Sequence, residues 1–104
     1  MSAEPAAMAE QDALIAAGLA EEARITQRFL DHRDTLDPRW LDVARLDNLV
    51  LRATPEEVGE LADRITALLR PYLASVRQAP PEDAELGYVG LRFLPRLDSE
   101  GEPR

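Results

Sequence analysis

The chain has no cysteine, which removes disulfide scaffolds, thiolate nucleophiles, Cys-ligated zinc and iron–sulfur clusters together. It has one histidine, His32, so no multi-histidine metal site can form and a single side chain could shuttle protons near neutral pH. Lysine is missing too, all 12 basic residues being arginine, a bias that fits a GC-rich genome better than selection for phosphate contacts. The aromatic set is one Trp, two Tyr and two Phe. The apolar run from Ala13 to Ala20 is too short to span a bilayer. Glu4 and Glu10 stand where a signal peptide needs basic residues. The expected location is therefore the cytoplasm, with no cofactor and no metal.

What the chain has in excess is acid. Twenty Asp and Glu against the 12 Arg give a net charge of -8. Duplex DNA is held largely by cations that neutralise phosphates, so this charge argues against direct nucleic-acid binding. The arginines Arg24, Arg28, Arg39, Arg45, Arg52, Arg64, Arg70 and Arg77 do not cluster; they alternate with carboxylates, a surface ion-pair pattern worth little per pair. Hydrophobic residues at 45% and charged residues at 31% make a globular balance. A chain of 104 residues buries a modest core, which a partner would help complete.

Met1 to Met8, with Pro5, is expected to be a flexible N-terminus. From Ala9 to about Asp34 no proline interrupts, and Leu14, Gly18, Ile25 and Phe29 share a helical stripe flanked by Ile15, Leu19 and Leu30. This predicts a long first helix, with Ala13, Ala16, Ala17, Ala20 and Ala23 allowing another helix close approach. Asp37-Pro38 predicts a short second helix carrying Trp40, Leu41, Val43 and Ala44 and ending near Leu46 and Asp47. The brief apolar run Asn48 to Ala53 reads as a strand.

Thr54-Pro55-Glu56-Glu57 is the clearest local signal: Thr54 as N-cap, Pro55 at the first helical position, Glu57 closing a capping box and Glu56 favourable at the positive end of the helix dipole. Val58, Leu61, Ile65, Leu68 and Tyr72 then recur at spacings of three and four, widened by Ala62 and Leu69. Pro71 predicts a kink or an end near Leu69, with one looser turn to about Arg77. Ala79 to Asp83 reads as an acidic loop, and Tyr88 to Leu94 as a second strand with Val89, Leu91 and Phe93 on one face, ended by Pro95. Residues 98–104 read as a disordered tail. The expected fold is thus α+β and mainly helical: a long helix, a short helix and a βαβ unit from Leu49 to Phe93. Residues 9–97 are expected to form a single accessory or dimerisation domain. Two strands make a poor sheet alone, so either the long helix covers the pair or a second copy extends it.

The string Trp40, Leu49-Val50-Leu51-Arg52-Ala53-Thr54-Pro55-Glu56-Glu57, Leu61, Leu68-Leu69, Tyr72 and Leu91-Arg92-Phe93-Leu94-Pro95-Arg96 resembles the C-terminal region of actinobacterial ArsR-type winged helix-turn-helix transcriptional regulators. The resemblance covers roughly Thr35 to Leu97. It departs at Ala53, where Leu is usual, and at Pro71 inside the helix. The family's DNA-binding winged helix has no counterpart in these residues. The resemblance implies a dimerisation or effector-sensing role in transcription regulation. The partner would be a second copy or a related regulator, with mixed dimers that carry one DNA-binding head. Trp40, Leu49, Leu51, Leu61, Ile65, Leu68, Tyr72, Leu91, Phe93 and Pro95 would be its motif and core positions.

Asp31-His32 could be a general-base pair, but adjacent helix positions point apart and a solvated helix end is the better reading. Glu21-Glu22, Glu60 and Asp63 read as a solvated face, because no calcium-loop spacing appears. Phe29, Trp40, Tyr72 and Phe93 could line an apolar pocket for a small hydrophobic effector, although a core anchor is the commoner fate of so few aromatics. No nucleophile, base and orienter fall into a recognisable spacing, so an enzyme is not expected. The alternative to the regulator module is an acidic adaptor or antitoxin-like partner that caps a basic protein.

Overall fold

The computed structural model describes residues 4–102. They belong to two units, Met1–Asn48 and Leu49–Arg104. The first unit begins with α1, Glu4–Asp31. Helix therefore starts five residues before Ala9, because Pro5 sits in the first turn, where a missing backbone N–H costs no hydrogen bond. The expectation for Met1, Ser2 and Ala3 lies outside the described residues. α1 ends at Asp31, three residues short of Asp34. The backbone N–H and the ring Nδ1–H of His32 both donate to the Arg28 carbonyl, at 3.1 and 2.9 Å, so the side chain adds a second bond to a carbonyl of the last turn. A 3₁₀ turn follows at Arg33–Thr35.

Asp37 caps α2, Pro38–Val43, by accepting from the Arg39 N–H at 2.9 Å. α2 stops before Leu46: Ala44 turns to an extended conformation with its N–H on the Trp40 carbonyl. Partial burial in this unit concentrates on Glu22, Ile25, Thr26 and Phe29 of α1 and on Leu36, Asp37 and Trp40. The small-residue half of α1 lies in the open, with Leu14 74% exposed.

The second unit is organised on α3, Pro55–Leu69. The capping box is complete: Thr54 Oγ1 accepts from the Glu57 N–H at 3.1 Å, and Glu57 carboxylate oxygen Oε1 accepts from the Thr54 N–H at 2.9 Å. Pro71 ends the helix as expected, since its ring removes the donor that would reach the Ala67 carbonyl. The chain tightens into a 3₁₀ turn at Arg70–Tyr72, and one more turn closes when Val76 and Arg77 both donate to the Leu73 carbonyl at 2.9 Å. Further on, Asp98 accepts from the N–H groups of Glu100 and Glu102, each at 2.9 Å, and Gly101 takes φ 84°, a left-handed conformation that glycine adopts without Cβ strain.

The expected α+β fold is overturned. Among the described residues there are three helices, no strand and no sheet. Neither Asn48–Ala53 nor Tyr88–Leu94 joins a ladder, and the single bridge at Leu97 is isolated. Alternation of apolar residues reports which sides a segment would show in a sheet, but a strand exists only through hydrogen bonds to a neighbour. Two short segments with no third strand gain too little from pairing. Leu49 and Val50 are accordingly 82% and 73% exposed.

None of the described residues is buried. The helices therefore rest on their own hydrogen bonds to an unusual degree. Thr54→Ala should destabilise α3 by about 1 kcal/mol, read as a loss of helical circular dichroism at 222 nm, whereas Thr54→Ser should retain most of the signal. Equal helix content in the two variants would refute the structural role of the cap.

Candidate functional site

α3 offers the best-defined surface in the molecule. Its capped start and prolyl stop fix fifteen helical residues, and its apolar positions divide into two adjoining stripes. Val58, Ala62, Ile65 and Leu69 are half-buried. Beside them Leu61 is 38%, Leu68 73% and Tyr72 68% exposed, so a ridge of large apolar side chains stands next to the partly covered stripe.

Charged groups edge this ridge. The Arg64 guanidinium donates to Glu60 at 2.6 Å one turn earlier, and with Glu57 and Leu61 they line an open hollow of about 290 Å³. Its lining comes from one helix face, unlike a ligand pocket that surrounds most of its guest. At the far end the Arg77 guanidinium lies 5.2 Å from the centre of the Tyr72 ring, a cation–π contact that orients the exposed phenol. This surface can bury apolar area against another helix and match charges around it. It has no arrangement of nucleophile and base.

The four aromatics expected to line a pocket divide between the units. Phe29 on α1 and Trp40 on α2 belong to the first, Tyr72 and Phe93 to the second. Phe29, Trp40 and Phe93 are half-buried. Of the remaining motif positions, Leu49, Leu51, Leu91 and Pro95 lie in irregular backbone and are exposed, whereas Leu61, Ile65 and Leu68 share α3. Thr54, Pro55 and Glu57 form the helix start as read from the sequence.

The Asp31-His32 pair does not act as a unit. Asp31 accepts from the Gln27 side-chain amide at 2.8 Å, and the His32 Nδ1–H is committed to the Arg28 carbonyl. Glu21 pairs with Arg24 on the same helix. No group of three His, Asp or Glu side chains able to hold a metal occurs among the described residues. None of their helices is long and apolar enough to cross a membrane.

Two features escaped the sequence reading. The first is the exposure of Leu61, Leu68 and Tyr72 on one side of α3. Its signal was the helical wheel, which sets Leu61 and Leu68 toward Glu57 and Arg64 and away from Ala62 and Leu69. The second is the reach of Arg39 back over its own N-cap: its guanidinium donates to Asp37 at 2.7 and 3.0 Å. That side-chain bond, helped by the Arg39 backbone N–H and the nearby positive charge, holds the Asp37 carboxyl below the usual Asp range.

A lowered folded value means that the capping contribution is present above the ordinary carboxylate range and is lost as pH falls through the lowered value. The Asp37 carboxyl carbon, followed by NMR titration, should have a midpoint below that of an unstructured Asp, and Arg39→Ala should move it upward. An unchanged midpoint in the variant would show that Arg39 is not the cause.

No family model, curated protein or solved structure matches the chain.

Proposed function

We propose that this chain is a non-enzymatic association module that completes its folding when its apolar helix faces are covered by a partner. The observation that carries this reading is the absence of any buried side chain among the described residues, in a chain whose composition is that of a globular protein. Conformational entropy opposes ordering at roughly 1–2 kcal/mol per residue, and apolar burial is the main force that offsets it. A chain that leaves Leu14, Leu49, Leu68 and Tyr72 in water obtains that burial from a partner.

The setting follows from the string Trp40 to Arg96, whose resemblance to ArsR-type regulators points to cytoplasmic accessory work beside a transcription regulator. Dimerisation through α3 would be this chain's contribution. The -8 net charge directs it to protein rather than to DNA, and it favours a second reading in which the covering partner is a basic protein.

The reading predicts helical circular dichroism that falls as the free chain is diluted through the micromolar range, with a thermal transition that broadens alongside it. Addition of a partner should restore both. A sharp, cooperative unfolding transition that is the same at every concentration, from a species that sediments as a monomer, would show that the chain has a core of its own and would end the proposal.

A further inference from the structure

Resting on that reading, we infer that the N-terminal half of α1 is the docking face for a basic amphipathic helix of another protein. Met8, Ile15 and Leu19 fall within about 20° of one line along α1 at about 100° of turn per residue, and they are 63%, 53% and 46% exposed. Every half-buried position of α1 lies from Glu22 onward. The cover that the unit supplies to this helix therefore ends there, and about three turns of apolar stripe stand open.

Charge selects the occupant, because here the charged groups share the apolar face. Glu4 and Asp12 lie about 40° to either side of the stripe. Residues 4–23 hold five acids, Glu4, Glu10, Asp12, Glu21 and Glu22, and no base. The first arginines of the helix, Arg24 and Arg28, lie about 160° round from the stripe, where Arg24 engages Glu21. A helix with Lys or Arg beside its own apolar seam sets cation against carboxylate along both edges. A second α1 would set acid on acid in either direction. α3 of a second copy would bring two carboxylates, Glu57 and Glu60, against the one arginine Arg64 beside Leu61, which is also unfavourable. Duplex nucleic acid offers neither the seam nor the cations.

Gly18 adds an observation independent of charge. Glycine is unfavourable inside a helix relative to alanine, and the space that a Cβ would fill at 18 is open, so no described neighbour requires it. It stands about 60° round from Ile15, at the edge of the stripe, where a missing side chain lets a crossing helix come close.

The test titrates the full chain with three synthetic peptides: a leucine seam edged by lysine, the same seam edged by glutamate, and the lysine peptide shuffled to scatter its seam. Calorimetry should show the lysine-edged helix binding at least about tenfold more tightly than either control, with affinity that falls as salt rises. Ile15→Asp and Gly18→Leu should each weaken that binding by about tenfold or more. Circular dichroism at 222 nm should not fall in Gly18→Leu, because leucine is the better helix former, and this separates a lost contact from a lost helix. Asp12→Arg should weaken the lysine-edged peptide and strengthen the glutamate-edged one, while Leu68→Asp on α3 should change neither. Equal binding of the lysine-edged and shuffled peptides would reduce the contact to net charge and overturn the inference. So would binding that Leu68→Asp removes and Ile15→Asp does not, or self-association in sedimentation that Ile15→Asp removes; both leave the association reading standing. A chain that binds none of the peptides also overturns it. If that chain unfolds cooperatively as a monomer at every concentration, the proposed function falls with it.

Discussion

Thr54 and Glu57 exchange two hydrogen bonds across the first turn of α3, and in this chain that exchange carries more weight than it would in a packed domain. A buried helix is held mainly by its apolar face, so its ends can fray at small cost. Here no described residue is buried, and each helix is secured chiefly by the groups at its ends: the reciprocal cap and Pro55 for α3, Asp37 with Arg39 for α2, the His32 ring on the Arg28 carbonyl for α1. The interactions that specify the fold are short-range in sequence. Tertiary burial, which normally selects among local preferences, contributes little among the described residues.

This division explains what could be read from the sequence. The helix starts at Pro38 and Pro55 and the stop near Leu69 were legible, because each is determined by residues within four positions through backbone sterics and a few hydrogen bonds. The extent of α1 was less legible at both ends. Pro5 in a small, polar start predicts fraying, yet proline is compatible with a first helical turn, and the competition between continued helix and the His32 contact near Asp34 is decided by geometry that composition does not show.

The strands were misread for a different reason. Leu49 to Ala53 and Tyr88 to Leu94 have the apolar alternation of strands, but alternation is a property of one segment and pairing is a property of two. The same distinction limits the site. Apolar spacing identified the face of α3, whereas its division into a half-buried and an exposed stripe is visible only in the structure. The limits of α3, the Thr54 cap and the Pro71 stop, are set by residues within a few positions of each end.

Pro71 sets one of those limits, and with it the strength of anything built on the helix. Fifteen residues span about 22 Å at about 1.5 Å per residue, roughly four turns, and a contact that short cannot reach the affinity of a long coiled coil. An association built on α3, as proposed, would therefore be reversible, its extent following the amounts of chain and partner by mass action.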